Sequence, residues 1–125
     1  IKDPIENARA KAISFNNLSG TKIELKKYSA AEKAAINALL QWKKYEKLKG
    51  ADENKVIYAY FNIATIFEKW AKSLKDKNES YSEKQDLSMQ GFQKGLKLAQ
   101  EKKLPKEKVA LFLKGIERLK KIENK

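Results

Sequence analysis

Large apolar side chains recur between residues 56 and 74 with alternating spacings of four and three residues. These positions are Val56, Tyr60, Ile63, Phe67, Trp70 and Leu74. An α-helix turns once in 3.6 residues, so this spacing places all six on one helix face. The core of a helical bundle explains such a face better than a seam kept for a separate partner chain. The pattern therefore predicts a helix at the centre of the fold.

The C-terminal third of the chain shows the same helical period. A helix predicted from Pro105 to about Glu123 has five apolar residues on one face: Val109, Phe112, Leu113, Ile116 and Leu119. Before it, a helix from about Tyr81 to Lys103 has a stripe of small residues: Gly91, Gly95 and Ala99. Glycine inside a helix costs about 0.5–1 kcal/mol relative to alanine. We therefore expect a bulky ring, such as Trp70 or Phe112, to pack closely against this stripe.

The N-terminal half predicts two further helices. Asp3 before Pro4 is typical of a helix start, and we expect this helix to run to Leu18 and stop at Gly20. Three Ser/Thr-x-x-Glu capping boxes are also present: Thr21 with Glu24, Ser29 with Glu32, and Ser80 with Glu83. The stretch from Lys22 to Lys49 is either one long helix or a short turn that leads into a longer helix. A break near Tyr28 is favoured, and Gly50 should end the helix. Asp52 is the expected start of the helix that follows.

These elements predict an all-α fold, a compact antiparallel bundle of four to five helices forming one domain over residues 1–125. We expect helix content above about 60%, well over the globular average. The longest apolar run, residues 56–61, is six residues, whereas a membrane span needs roughly 20. No transmembrane segment is therefore expected.

Composition then excludes several kinds of chemistry. The chain contains no cysteine and no histidine, which removes disulfides, thiol nucleophiles, thiolate zinc sites and the usual general base. Four acidic residues cluster in sequence, Asp76, Glu79, Glu83 and Asp86, but they match the acidic first turn that a helix N-terminus favours. We therefore expect no catalytic residues, no cofactor and no metal site, and a protein that is not an enzyme.

Positive charge is the strongest candidate functional signal. The chain has 28 basic and 16 acidic residues, a net charge of +12, and only two of its basic residues are arginine. On the last helix Lys114, Arg118, Lys121 and Lys125 follow spacings of 4, 3 and 4, which stacks four cations on one face. A second group, Lys43, Lys44 and Lys47, surrounds Trp42 and Tyr45. These aromatics could stack on bases, although packing in the core is the favoured interpretation for both.

The charge predicts a binding module that contacts RNA, DNA or a glycosaminoglycan through these two groups of cations. Lysine acts as a point charge and does not read bases in a planar fork, so contact to a polymer backbone is favoured over sequence recognition. The alternative without a binding function is that the lysines form an inert, solvated face. The rival function is a protein–protein interaction domain, such as a bacterial surface lipoprotein domain that binds a host protein.

The oligomeric state is left open by the sequence. Because the chain begins at Ile1 rather than Met, two locations also remain open: the cytoplasm, and the bacterial cell surface after removal of an N-terminal segment.

Overall fold

The part of the chain described by the computed structural model, residues 3–50 and 54–123, folds into five α-helices without a β-strand. They are α1 (Pro4–Glu24), α2 (Tyr28–Lys49), α3 (Lys55–Asp76), α4 (Ser82–Glu101) and α5 (Lys106–Glu123). Helix accounts for 87% of the described residues. The predicted all-α bundle and its number of helices are therefore confirmed.

The chain divides into two compact units, Ile1–Ala59 and Tyr60–Lys125. The boundary falls within α3, so the first turn of α3 belongs to the first unit and the remainder to the second. This helix therefore contributes side chains to both units. The single domain over residues 1–125 stays a prediction.

Three helix-end signals in the sequence act as expected. The Asp3 carboxylate accepts a hydrogen bond from the Ile5 backbone N–H at 2.9 Å, and Pro4 is the first residue of α1. Gly50 ends α2 in the left-handed conformation, with a φ of 70°. The Pro105 carbonyl accepts the backbone N–H of Val109 at the start of α5. The predicted cap Asp52 lies outside the described residues.

The predicted stop at Gly20 and the three capping boxes are wrong. Helix α1 continues through Gly20 to Glu24, and Thr21 lies inside it, where its hydroxyl donates to the Asn17 carbonyl at 3.1 Å. The residues that precede α2 and α4 are Lys27 and Tyr81, and neither makes a side-chain capping bond. The predicted break near Tyr28 is confirmed.

In the first unit, α1 and α2 pack through small side chains. The buried alanines are Ala8 and Ala12 on α1, and Ala31, Ala34, Ala35 and Ala38 on α2. The buried Ser19 hydroxyl donates to the Ala31 carbonyl across the pair at 3.1 Å. Because only residues 25–27 separate the two helices, they run antiparallel. Beyond Ser19, the residues from Gly20 to Glu24 complete α1 without a buried side chain, so a single glycine does not end this helix.

In the second unit, α4 and α5 each place a phenylalanine ring against a glycine of the other helix. The Phe112 ring lies over Gly95, and the Phe92 ring lies over Gly115, where an added Cβ would be 2.7 Å from it. Both rings are fully buried, and Phe61 of α3 meets each edge-on, at centroid distances of 5.4 and 5.7 Å. The expected packing of Phe112 against the small-residue stripe is therefore confirmed.

The buried faces of α3 and α5 are rotated from the predicted ones. Of the six residues in the α3 pattern, only Phe67 is buried and the other five are half-buried. The other buried residues of α3 are Ile57, Ala59, Ala64, Ile66 and Ala71. The Ala64 carbonyl accepts the Ser88 hydroxyl of α4 at 2.7 Å. On α5, Leu113 is exposed, because the helix turns Gly115 toward Phe92 instead. Both rotated faces include a close contact at a small residue, Ala64 against Gly91 on α3 and Gly115 against Phe92 on α5.

Candidate anion-binding site

The predicted cations of α5 are present on an accessible face. Lys114 and Lys121 are exposed, and Arg118 lies between them with half of its side chain accessible. Lys125 lies outside the described residues. The helical spacing that suggested this stripe therefore holds for the three described members.

Arg118 differs from its neighbours because it is bound to an acidic residue of α3. Its Nε donates to Glu68 Oε2 at 2.7 Å, and its Nη2 donates to Oε1 at 2.8 Å. The hydrogen bond to Glu68 raises the pKa of Arg118, burial lowers it by a smaller amount, and the charge of Glu68 adds to the rise. The guanidinium fork is thus occupied by a carboxylate of the same chain.

A cleft of about 410 Å³ opens beside this ion pair in the second unit. Its floor is buried and includes Ala71 and Leu119, and its exposed rim includes Lys72 and Lys121. Lys75 lines the wall with its Nζ 5.7 Å from the centre of the Tyr81 ring. Lysines from two helices that are distant in sequence therefore border one cavity of small-molecule size.

A buried amide also lines this cleft. Gln85 is only 3% exposed, and its Nε2 donates to the Leu119 carbonyl at 3.4 Å, near the long limit for a hydrogen bond. Its Oε1 is buried and has no hydrogen-bond partner among the described residues. A buried acceptor without a partner lowers stability and is uncommon in folded proteins. The Gln85 oxygen is therefore a candidate contact for a ligand in this cleft.

The sequence analysis missed the contribution of α3 to this site. Glu68, Lys72 and Lys75 follow spacings of 4 and 3, the same signal that identified the stripe on α5. They were overlooked because the net charge of residues 51–82 is zero, with five basic and five acidic residues. Tyr81 and Gln85 carried no sequence signal, since their role depends on where the helices meet.

The second predicted group of cations belongs to the first unit. Lys43, Lys44 and Lys47 are exposed on α2. Trp42 and Tyr45 are both buried, with their rings edge-on at 5.5 Å. They are therefore core residues, as the favoured interpretation held, and offer no exposed platform on which bases could stack.

Four acidic residues lie near the connection between α3 and α4. Asp76, Glu79, Glu83 and Asp86 are exposed, and no cluster of three or more potential metal ligands occurs among the described residues. Within the same residues, every helix is too short or too polar to cross a membrane.

Comparison with protein-family models, with curated proteins and with solved structures returned no match for this chain.

Proposed function

We propose that this protein is a non-enzymatic helical binding module that engages an anionic macromolecule, a nucleic-acid backbone or a sulfated polymer, through the second unit. The contact surface consists of Lys72, Lys114 and Lys121, here called the lysine face. The observation that supports it most is that Lys72 of α3 and Lys121 of α5 border the same cleft. Cations from two helices that converge there favour polyanion contact over scattered solvated charge.

The residue types favour backbone contact over recognition of particular bases. A planar guanidinium is the usual bidentate reader of guanine, but Arg118 already holds Glu68 through both arms of its fork. The lysine face supplies point charges that suit phosphate or sulfate groups. Lys43, Lys44 and Lys47 in the first unit are proposed as a second contact area for the same polymer.

Replacing the whole lysine face with glutamine should separate binding from stability. The K72Q/K114Q/K121Q variant should keep the parent melting temperature, because these three side chains are exposed. It should lose retention on heparin near physiological salt. In titrations with a fluorescent single-stranded oligonucleotide from about 50 to 200 mM salt, the log–log salt slope should fall by about 2 to 3, since each lost phosphate contact removes about 0.7–0.9.

A control with the same charge loss is available in the first unit. The K11Q/K27Q/K33Q variant also removes three exposed lysines and lowers the net charge from +12 to +9. It should keep most of the affinity and slope. An equal loss in both variants would show that total charge alone governs binding, and a parent that does not bind at the low-salt end would overturn the proposal.

Glu68 is expected to limit anion binding by occupying Arg118. Glu68→Gln should release the guanidinium, tighten oligonucleotide binding and increase the magnitude of the salt slope by about 0.7–0.9, one further contact. The stability cost should stay below about 1 kcal/mol, because half of the Arg118 side chain is exposed and solvent screens the pair. The matched control is Glu117→Gln, because Glu117 is an exposed acid on α5. Equal tightening by both variants would contradict this role for Glu68.

A protein-binding function remains the alternative, and exposed apolar side chains favour it. Ile36 and Leu40 lie one turn apart on α2, and Leu40 is 54% exposed. Leu111 and Leu113 of α5 are also exposed. Affinity for a protein partner through an apolar centre should change only modestly over the salt range in which polyanion affinity falls by orders of magnitude.

A further inference from the structure

We infer that the cleft beside Arg118 receives a single ribonucleotide unit, and that Gln85 recognises the 2′-hydroxyl group of its ribose. This inference rests on the proposed function and specifies its ligand as RNA. It combines three features of one cavity: cations on the rim, an apolar floor and an unpaired buried amide.

The rim and the floor of the cleft suit different parts of a ligand. Lys72 and Lys121 stand on the exposed rim, where they would hold a phosphate group, and Asp76 is an exposed acid that lines the same cleft. Ala71, Leu119 and the half-buried Ile122 form an apolar surface beneath them. A nucleobase has a flat apolar face that suits this surface, whereas a sulfated sugar has only a small C–H face surrounded by hydroxyl and sulfate groups. The floor therefore favours a nucleotide over a glycosaminoglycan unit.

The side-chain oxygen of Gln85 could accept a hydrogen bond from a donor group of the ligand. Its Oε1 is an acceptor with no partner among the described residues, and its Nε2 is held only by the 3.4 Å bond to the Leu119 carbonyl. The last torsion of a glutamine side chain is broad, so the amide can turn toward a ligand at small cost. A phosphate oxygen offers no donor, but a ribose hydroxyl does. The 2′-hydroxyl is also the group by which proteins distinguish RNA from DNA.

The first test compares two ligands on the unmodified protein. Adenosine monophosphate and its 2′-deoxy analogue are each titrated to about 10 mM against ¹⁵N-labelled protein. The first should shift the Gln85 side-chain amide signals and the backbone signals of Ala71 and Tyr81. The deoxy analogue should bind about 3- to 10-fold more weakly, the loss expected for one neutral hydrogen bond. Equal affinities, shifts elsewhere only, or no shifts would overturn the inference.

The second test removes the amide. In Gln85→Met both nucleotides should bind with the weaker affinity, so the discrimination disappears while phosphate contact remains. Gln41→Met is the matched control, because Gln41 Oε1 in the first unit is also buried without a partner among the described residues. It should preserve the discrimination. Because the ligand comparison uses the parent protein, the inference can be tested even if Gln85→Met fails to fold.

The two proposals fail in different ways. If the parent binds oligonucleotides with a steep salt slope but does not distinguish the two nucleotides, only the ribose inference is wrong. If a sulfated disaccharide shifts the same signals more strongly than the nucleotide, the cleft serves a sugar polymer and the RNA assignment is wrong. If no polyanion binds even at low salt, the proposed function itself fails.

Discussion

Replacing Phe67 with alanine should lower the free energy of unfolding by about 3–5 kcal/mol. The ring is 5% exposed and stacks on Trp70 with centroids 6.2 Å apart and planes 3° from parallel. Lys84 Nζ lies 5.9 Å from the same ring. Truncation removes the transfer free energy of a large side chain and leaves a cavity that rigid neighbours fill only in part. Urea denaturation followed by far-UV circular dichroism measures the loss.

Leu40→Ala is the control for this experiment. Leu40 is a large apolar residue on α2, but it is exposed, so its truncation should change stability by less than about 0.5 kcal/mol. A loss below about 1 kcal/mol for Phe67→Ala would contradict burial of the ring. It would instead support the alternative that the patterned face of α3 serves a separate partner chain.

Replacing Gly95 with leucine should destabilise the protein by about 1–3 kcal/mol. A Cβ at this position would overlap the Phe112 ring, including Cδ1 at 2.8 Å. The ring cannot withdraw, because Phe112 is fully buried and Phe61 lies against it. The gain in helix propensity on replacing glycine, about 1 kcal/mol at most, is smaller than the cost of overpacking.

The same substitution at Gly20 should have the opposite sign. Gly20 lies inside α1, and an added Cβ there meets no atom within 4 Å. Gly20→Leu should therefore raise stability by about 0.5–1 kcal/mol, because only the propensity term remains. Thermal melts of both variants give the comparison. A higher melting temperature for Gly95→Leu would show that α4 and α5 do not pack as closely as described.

Packing in the second unit also positions the candidate site. Leu119 is fully buried and forms the cleft floor together with Ala71 of α3. In the same cleft, Arg118 of α5 binds Glu68 of α3, which is 50 residues earlier in the chain. The lysine face is therefore a consequence of core packing as much as of charge composition.

The sequence alone determined the helical class, most element limits and the basic character. These properties depend on local signals: the 3.6-residue period, the Asp3 cap, Gly50 and Pro105 each act within about one helical turn. Local signals failed where their energy is small. A glycine inside a helix costs only about 1 kcal/mol, so Gly20 did not end α1, which runs to Glu24. The capping boxes at Ser29 and Ser80 were unused, because α2 and α4 begin after Lys27 and Tyr81.

Only the tertiary structure decided which residues meet. It paired Arg118 with Glu68, brought Lys72 to the same cleft as Lys121, and buried Gln85 with an unpaired oxygen. It also turned Gly115 rather than Leu113 into the core. Helical periodicity specifies a face to within several residues, whereas the register between two helices depends on how rings and small residues interlock. For that reason the charge of the site was visible in the sequence and its geometry was not.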